Sequence, residues 1–446
     1  MRKHVIRFGL VLLVLIAGLA FYLTRPDRAQ LSENAVTGRT PRLTQVRDQW
    51  FPTVRVADPI GWRDGQAPTA PAGLQVQPFA KGLDHPRWLY RLANGDVLVA
   101  ESNSPPREGG GVTGWFMRLF MKRAGAGTPS ANRITLLRDA DGDGVAEARS
   151  VFLTGLNSPS GMVVVGDALY VANTDALVRY PFRTGQTRIT AAPEKIVDLP
   201  GGGNHWARNV VADPDGRSLY VSVGSASNIA ENGLEIEKNR AAIWQVDPAK
   251  KTFRIYATGL RNANGMAFEP RSKDLWTVVN ERDMLGSDMP PDYLTKVEFG
   301  GNYGWPWHYW GGYIDDRVQP QRPDLRQYVA RPDYALGAHV APLGLAFTAD
   351  MRLGERFGNG AVIGLHGSWN RVPPSGYKVV YVPFAANGFP AANAKPVDLL
   401  TGFLTTDGKQ VHGRPVAVIA DRTGALLVAD DVGNTIWWVS QPLAAR

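Results

Sequence analysis

One hairpin pattern occurs six times along this chain of 446 residues. Each copy begins with a polar or cationic residue and a turn, continues with a short apolar run and a tight turn containing Gly or Asp, and ends with a second apolar strand. Repetition of one β-unit is typical of propellers, in which a blade buries its faces only against its neighbours. The sequence therefore predicts an all-β fold, a six-bladed β-propeller. The six copies begin at His85, Ser158, His205, Arg261, His339 and His412.

The residues just before the first strand of each copy share one position in the repeat. In a propeller the innermost strands begin at the same end of the central channel, so these lead-in residues converge on one funnel. Crowded cations repel one another, and their shared register therefore indicates an anionic ligand. The lead-in residues are His85, Arg87, His205, Arg208, Arg261, Asn262, His339, His412 and Arg414.

Composition limits the chemistry that this chain can carry. It contains no cysteine, which excludes disulfides, thiolate nucleophiles and Cys-ligated metal sites. The formal net charge is +8, but no Lys/Arg run or basic helix accompanies it, so we predict no nucleic-acid partner. The content of 48 Gly and 32 Pro favours a single large β-domain, which we place at residues 76–446.

The N-terminus carries a targeting signal. Basic residues precede an apolar run from Phe8 to Thr24, which is close to the shortest length that crosses a bilayer. We predict that residues 1–28 anchor the protein in a bacterial inner membrane, with the large domain facing the periplasm. The alternative is a signal peptide cleaved near Gly18-Leu19-Ala20, which would release the protein into the periplasm.

Residues 29–75 separate this segment from the repeats. The stretch contains several prolines, as tethers and domain edges commonly do. We predict that Trp50-Phe51 and Trp62 pack on the large domain.

An acidic loop, Asp139 to Gly144, resembles the start of a Ca²⁺-binding loop, in which alternate carboxylates surround the cation. An EF-hand would have a bidentate Glu at its twelfth position, where Ser150 stands. Two interpretations remain: a tight hairpin between strands at 133–138 and 149–153, or a structural Ca²⁺ site in that loop.

The stretch from Gly300 to Gly312 is the most aromatic part of the chain. Aromatic faces beside polar funnel walls could hold a sugar ring or a planar cofactor. The alternative is loop packing against the side of the propeller. No Gly-Xaa-Gly-Xaa-Xaa-Gly segment opens a helix, which disfavours a nicotinamide-binding unit.

His205 is the candidate catalytic base. It follows a run of three glycines, which permit a ligand to approach closely. Arg208 is near His205 in the sequence and could hold an anion beside it. A neutral imidazole is the usual acceptor of a hydroxyl proton near pH 7.

Three segments together resemble the soluble-glucose-dehydrogenase-like family of quinoprotein propellers, most closely its sorbosone dehydrogenase branch. The resemblance extends from about Pro78 to Val439 and includes all six repeats. It implies that the funnel holds pyrroloquinoline quinone (PQQ), an aromatic tricarboxylate, together with Ca²⁺. The segments are Gly259 to Phe268, Gly300 to Pro306 and His412 to Pro415.

The resemblance also implies roles for individual residues. His205 corresponds to the general base, and Arg261 and Asn262 to an Arg-Asn pair in which the cation stabilises the reducing quinone and the amide contacts the cofactor. Arg414 corresponds to an arginine that binds a cofactor carboxylate. Glu281 and Asp283 lie in the loop that corresponds to the Ca²⁺-binding loop.

Other positions depart from the family pattern. Ser225 stands where glucose-oxidising members have an Asp that pairs with the catalytic His, so His205 must be oriented by another group. His339 replaces a cofactor-contacting Thr. His366 and Arg371 lie in a loop that replaces one supplying a cofactor Lys, and we predict that they substitute for it.

The sequence thus predicts a quinoprotein dehydrogenase that oxidises a sugar aldehyde or hemiacetal by hydride transfer to PQQ. The electron acceptor would be a cytochrome or a membrane quinone. Two alternatives remain: a propeller lactonase or other hydrolase, in which funnel carboxylates bind the metal, and a noncatalytic propeller that binds glycans or envelope proteins.

Overall fold

Six four-stranded antiparallel sheets form the body of the protein, in a computed structural model that describes residues 2–47, 49, 53–106 and 127–442. The innermost strand of each sheet contacts the innermost strands of the two neighbouring sheets, so the six sheets form a closed ring. The predicted six-bladed β-propeller is confirmed. Each of the six repeated hairpins provides the two inner strands of one blade.

Blades 1 to 3 are built from consecutive strands. Blade 1 contains Pro86–Arg91, Val97–Glu101, Arg133–Arg138 and Ala148–Leu153. Blade 2 contains Met162–Val165, Ala168–Ala172, Ala176–Pro181 and Glu194–Asp198. Blade 3 contains Val210–Ala212, Leu219–Val223, Ala242–Asp247 and Thr252–Thr258. The second strand in every blade is fully buried because both of its faces pack against neighbouring blades.

Blades 4 to 6 include one insertion and the ring closure. Blade 4 contains Ala263–Phe268, Leu275–Val279, Pro291–Lys296 and Tyr334–Ala338. Blade 5 contains Pro342–Phe347, Gly360–Leu365, Lys378–Pro383 and Val397–Leu400. Blade 6 contains Pro415–Ala420, Leu426–Asp430 and Thr435–Ser440, with Gln75–Lys81 as its outermost strand. The first strand of the propeller in the sequence therefore closes the ring against the last one.

Glycine allows the innermost strands to approach closely. A Cβ added at Gly344 in blade 5 would lie 2.1 Å from the carbonyl oxygen of Val416 in blade 6. A Cβ added at Gly161 before blade 2 would lie 2.3 Å from the backbone nitrogen of Val210 in blade 3. Any side chain at either position would push two blades apart, so these glycines help to set the width of the channel.

The insertion in blade 4 contains the aromatic stretch. Its elements are the paired strands His308–Tyr309 and Tyr313–Ile314 and the 3₁₀ helix Pro323–Tyr328. Trp305 and Trp310 are buried, whereas Tyr313 is 51% exposed. Much of this stretch therefore packs as a loop. The remaining 3₁₀ helices are Glu235–Glu237, Thr348–Asp350 and Glu355–Phe357.

The N-terminal region begins with helix Arg2–Thr24 and includes the short helix Glu33–Val36. Within the described residues no helix meets the length and apolarity that a membrane span requires. The described residues of 27–62 (27–47, 49 and 53–62), which we call the strap, cross loops of blades 4 to 6, and Asp58–Pro59 pairs with Gln410–Val411. The side chain of Trp62 packs against Phe403 and Trp437. Trp50 and Phe51 lie outside the described residues.

The acidic loop connects the two outer strands of blade 1, so it forms a hairpin as one of the two interpretations predicted. The oxygen atoms of Asp139, Asp141, Asp143 and Glu147 all lie within 4.8 Å of one another. Within the loop, Asp139 accepts hydrogen bonds from the backbone nitrogens of Gly142 and Gly144. The Ca²⁺ interpretation stays a prediction.

Candidate active site

His205 lies on the loop that leads into blade 3. Its Nδ1 is 2.8 Å from the carbonyl oxygen of Ser225 and 3.0 Å from the Ser225 Oγ, which itself donates to the carbonyl of Ser227. A carbonyl only accepts, so Nδ1 carries the proton and Nε2 has the free lone pair. Among the described residues nothing bonds to Nε2 of His205. The serine that replaces the expected Asp thus orients the imidazole through its backbone.

The environment of His205 keeps the imidazole neutral. Burial lowers the pKa of His205 to about 3, and the positive charge of Arg261 acts in the same direction. Asn262 is adjacent, because a Cβ on Gly224 would lie 2.6 Å from the His205 Cβ and 2.5 Å from the Asn262 Oδ1. The site therefore holds an unprotonated acceptor beside a polar amide.

Arg261 is bound on all sides by loop oxygens. Its Nε and one terminal nitrogen donate to the carbonyl and side-chain oxygens of Asn228, at 3.1 and 2.9 Å. The other terminal nitrogen donates to the carbonyls of Asn280 and Glu281, at 3.3 and 2.6 Å. A further contact of 3.4 Å reaches the Asp283 carboxylate. Arg261 thus clamps two funnel loops together.

Asp283 and His339 lie next to Arg261, with 3.7 Å between Asp283 Oδ1 and His339 Nδ1. Burial alone would raise the pKa of Asp283, but the hydrogen bond from His339 and the charge of Arg261 lower it to about 2. The same pairing raises the pKa of His339. Asn370 also donates to Asp283 at 2.6 Å, and the Nε2 of His339 contacts the carbonyl of Gly286 at 2.9 Å. Blades 4 and 5 meet at this pair.

Glu281 points into a buried pocket with other acids. Burial raises the pKa of Glu281 to about 7 and that of Asp292 to about 6. The Glu281 Oε1 and the Tyr293 hydroxyl are buried without a hydrogen-bond partner. In the described part of the chain, Glu281 and Asp283 form no cluster of three metal-ligating side chains; the one such cluster is the acidic loop of blade 1. Their role as Ca²⁺ ligands stays a prediction.

Asp431 lies at the centre of the opposite wall of the funnel. Its carboxylate contacts Arg87, the Nε2 of His366 at 2.9 Å and the Nε2 of His85 at 3.4 Å. These groups hold the pKa of Asp431 well below its usual range although the side chain is only 1% exposed. The guanidinium of Arg87 also lies over the Trp206 ring, 5.6 Å from its centroid. This contact joins the wall to the loop of His205.

Arg414 lies beside this cluster with a donor to spare. Its guanidinium stacks 5.0 Å from the Tyr377 ring centroid, and its terminal nitrogen is 3.3 Å from the Tyr377 hydroxyl. The Nε of Arg414 is buried without a partner. A carboxylate ligand would satisfy such a donor.

Asp430 fixes the backbone at Arg414. One carboxylate oxygen accepts from the backbone nitrogen of Arg414 at 2.7 Å, and the other accepts from the Trp62 Nε1 at 2.7 Å. His412 stacks on Trp62, with 5.0 Å between the ring centroids, and bonds to the carbonyl of Gly61. The strap therefore supports this part of the funnel.

Two predicted cofactor ligands, Arg208 and Arg371, face the protein interior. Arg208 donates to the carbonyls of Pro200, His205 and Ala207, and burial lowers its pKa to about 9. Arg371 donates to the carbonyl of Ser287 and pairs with Asp288. In the structure both arginines therefore bind loops, while the Nε of Arg208 is buried without a hydrogen-bond partner, and their roles as cofactor ligands stay predictions.

Other residues of the site escaped the sequence prediction. Asn228, which binds Arg261, and Asp431 both lie in polar loops after second strands, and no sequence motif assigned a role to either residue. Tyr377 lies next to the third strand of blade 5 and carries no repeat signal. Only the fold brings it to Arg414.

Three known relatives are similar to this chain. An uncharacterized protein of Borreliella burgdorferi is 32% identical over 297 residues, which are 64% of this chain and 76% of that protein. A pyrroloquinoline quinone-dependent pyranose dehydrogenase of Coprinopsis cinerea is 24% identical over 431 residues, 83% of this chain. The chain spans about half (54%) of that enzyme.

Solved structures of two relatives, the Coprinopsis enzyme and a third protein from Trichoderma reesei, have the same fold. The holo PQQ domain of the Coprinopsis pyranose dehydrogenase superposes with a TM-score of 0.68 at 21% identity, covering 86% of this chain and 100% of the domain. A calcium structure of a Trichoderma reesei enzyme of carbohydrate-active family AA12 also gives 0.68, at 20% identity, covering 87% and 99%.

These relatives confirm the resemblance to quinoprotein propellers that the sequence indicated. The match to the family described as TrAA12-like covers residues 68–292 and 323–442, which include all or most of every blade. The chain belongs to the TrAA12-like family.

Proposed function

We propose that this protein is a quinoprotein dehydrogenase that oxidises the hemiacetal or aldehyde hydrate of a sugar. The observation that carries the proposal is the state of His205: its Nδ1 is fixed by the Ser225 carbonyl and its Nε2 is free. This neutral base lies in a funnel whose far wall carries Arg87, Arg414 and His366. A base and an anion-binding wall facing one another are what oxidation by a carboxylated cofactor requires.

The residues present fit PQQ as the cofactor, and Ca²⁺ accompanies it in the proposal. PQQ is a tricarboxylate, and the unpartnered Nε of Arg414 is a buried donor suited to one carboxylate. Arg87, whose guanidinium has donors besides the one that contacts Asp431, would hold a second. The relatives support both cofactors, since one was solved in a holo PQQ form and another with calcium. When bound, PQQ supplies a quinone that accepts hydride.

The residues of the chain perform the proton chemistry. His205 Nε2 takes the hydroxyl proton of the substrate while the C–H hydrogen leaves as hydride, which converts a hemiacetal to a lactone or a hydrate to an acid. Arg261 keeps the imidazole neutral and holds Asn228 and the 280–283 loop in place. Its charge would also favour the negative charge that develops on oxygen during transfer.

The substrate, the acceptor and the location complete the proposal. The substrate would be a sorbosone-like or aldose-like sugar. Electrons would pass to a cytochrome or a membrane quinone, and the N-terminal helix would keep the domain at the periplasmic side of the inner membrane. Two of the basic side chains next to that helix, Arg25 and Arg28, are exposed and available to anionic lipid headgroups.

Reconstitution tests the proposal. Purified protein should develop a quinone absorption band with PQQ and Ca²⁺ and should then reduce a dye with an aldose or a ketoaldehyde. The variant His205→Gln, which keeps a polar side chain but accepts no proton, should show the band without turnover. Dye reduction with NAD⁺ alone, or lactone hydrolysis without PQQ, would contradict the proposal. No PQQ binding at all would favour a noncatalytic propeller.

A further inference from the structure

Asp431 is the buried acid at which three blades meet. It follows the second strand of blade 6, and its three partners come from the lead-in of blade 1 (His85 and Arg87) and the loop after the second strand of blade 5 (His366). Blades 6 and 1 are neighbours only because the ring is closed. The Asp431 carboxylate therefore joins the first and last repeats at the funnel.

The hydrogen bond that His366 donates to Asp431 fixes the tautomer and the orientation of the His366 ring. The Nε2 of His366 is 2.9 and 3.1 Å from the two carboxylate oxygens, so Nε2 carries the proton and donates it. The Nδ1 of His366 has no hydrogen-bond partner among the described residues. Burial lowers the pKa of His366 to about 4, so its imidazole is neutral at pH 7.

The same carboxylate fixes Arg87 between two surfaces. The guanidinium contacts Asp431 on one side and lies over the Trp206 ring, next to His205, on the other. Without Asp431, Arg87 would lose its buried counter-charge, in a part of the funnel where the charges of Arg87 and Arg414 both act on His366. The carboxylate therefore holds Arg87 in place on this wall, where the guanidinium can bind a polyanion.

We propose that Asp431 is a positioning residue for the funnel: it holds Arg87 so that, with Arg414, this arginine binds the anionic groups of the cofactor, and it orients His366 so that the Nδ1 of His366 is available as an acceptor. This inference rests on the proposed function. It deepens that function by naming a residue that touches no ligand and acts through its three partners.

The test compares Asp431→Asn with a matched variant, Asp96→Asn. Asp96 is 3% exposed and binds Arg138 through both oxygens, but it lies in the hairpin turn of blade 1 at the opposite face. Both variants should lose thermal stability. Only Asp431→Asn should weaken PQQ, by roughly 10- to 100-fold in Kd, the loss typical of removing a group that orients ligating side chains.

A double-mutant cycle separates positioning from general loss of structure. If Asp431 acts through His366, then Asp431→Asn and His366→Gln should be strongly non-additive in PQQ Kd. Should Asp431→Asn fail to fold, Asp431→Glu keeps the charge and moves it by one methylene, and its PQQ Kd should still rise.

The outcomes distinguish this inference from the proposed function. If wild-type protein binds PQQ and the folded Asp431 variants bind it equally well, or if the cycle is additive, Asp431 is structural and the inference is overturned. If wild-type protein does not bind PQQ, the proposed function itself is overturned.

Discussion

The two walls of the funnel use their cations differently. On the wall of blades 3 and 4, Arg261 makes five contacts with loop oxygens. On the wall of blades 5, 6 and 1, Arg414 stacks on Tyr377 and leaves its Nε unpartnered. Both arginines lead into an innermost strand. The same position in the repeat thus provides an arginine that holds loops together on one wall. On the other wall it provides an arginine with a hydrogen-bond donor available to an anion.

This difference follows from what surrounds each side chain. Carbonyl oxygens from long loops reach Arg261 because the loops after the second strands of blades 3 and 4 fold over it. Near Arg414 the corresponding loop is short, and its acid, Asp431, is occupied by Arg87 and His366. We therefore expect substitutions on the first wall to affect turnover and stability, and substitutions on the second to affect cofactor affinity.

The largest effect expected is that of His205→Ala. Loss of the base should lower kcat by roughly 10²–10⁴, the usual contribution of general base catalysis. PQQ affinity should change little because His205 belongs to the first wall. Steady-state kinetics at saturating PQQ, with a parallel titration of the cofactor band, measure both quantities. Wild-type turnover in this variant would remove the distinction between the walls.

Arg414→Met should have the reverse pattern. Removal of a charged donor to a carboxylate costs about 1.5–3 kcal/mol, or roughly 10- to 150-fold in Kd. Methionine keeps an unbranched stem that can still pack on Tyr377. At saturating PQQ we expect kcat close to that of the wild type. An unchanged PQQ Kd, measured by fluorescence titration, would show that the second wall does not bind the cofactor.

Arg261→Lys sharpens the comparison on the first wall. Lysine keeps the charge but has three donors without the planar fork, so carbonyls of the 228 and 280–283 loops lose their partners. We expect the melting temperature to fall by several degrees and kcat to fall by about tenfold. Calorimetry and kinetics measure these effects. If PQQ affinity alone fell, Arg261 would act as a ligand donor and the two walls would be alike.

The smallest effect expected is in the pH profile. Burial lowers the pKa of His205 to about 3, so the base stays unprotonated as the pH falls from 8 to 5, and kcat/KM should not decline through protonation of this residue. Glu281→Gln is the control, since burial raises the pKa of Glu281 to about 7. A decline near pH 6.5 that persists both in this control and in Asp292→Asn, which removes the acid whose pKa burial raises to about 6, would contradict a neutral, buried His205.

Sequence patterns were sufficient to predict the architecture. Apolar runs around Gly- and Asp-containing turns predicted both inner strands of every blade, because these strands are buried on both faces and their turns have strong residue preferences. Once a propeller was predicted, it followed that the lead-in residues converge on one funnel, because the innermost strands begin at the same end of the channel. The closing strand, Gln75–Lys81, was not recognised, since it lies outside the repeats and pairs only across the ends of the chain.

Side-chain direction in the site could not be predicted from register. Arg208 and Arg414 occupy related lead-in positions and each has an unpartnered Nε, yet Arg208 donates to three backbone carbonyls whereas Arg414 stacks on Tyr377. The orientation of His205 depends on a backbone carbonyl, which every residue possesses and no sequence motif marks. Pairing of Asp431 with His366 depends on the placement of blades 5 and 6. Such contacts require three-dimensional packing.

The closing strand also has a consequence for how the protein is made. Gln75–Lys81 leaves the ribosome before any blade, but its partner Thr435–Ser440 is synthesised last. During translation the nascent chain therefore exposes unpaired strand edges that could associate with other chains. The ring closes only after the last propeller strand has been synthesised, and the Asp431 contacts form at the same time. Assembly of the funnel thus waits for the whole propeller, and a propeller that lacks either of these two strands would be prone to aggregate.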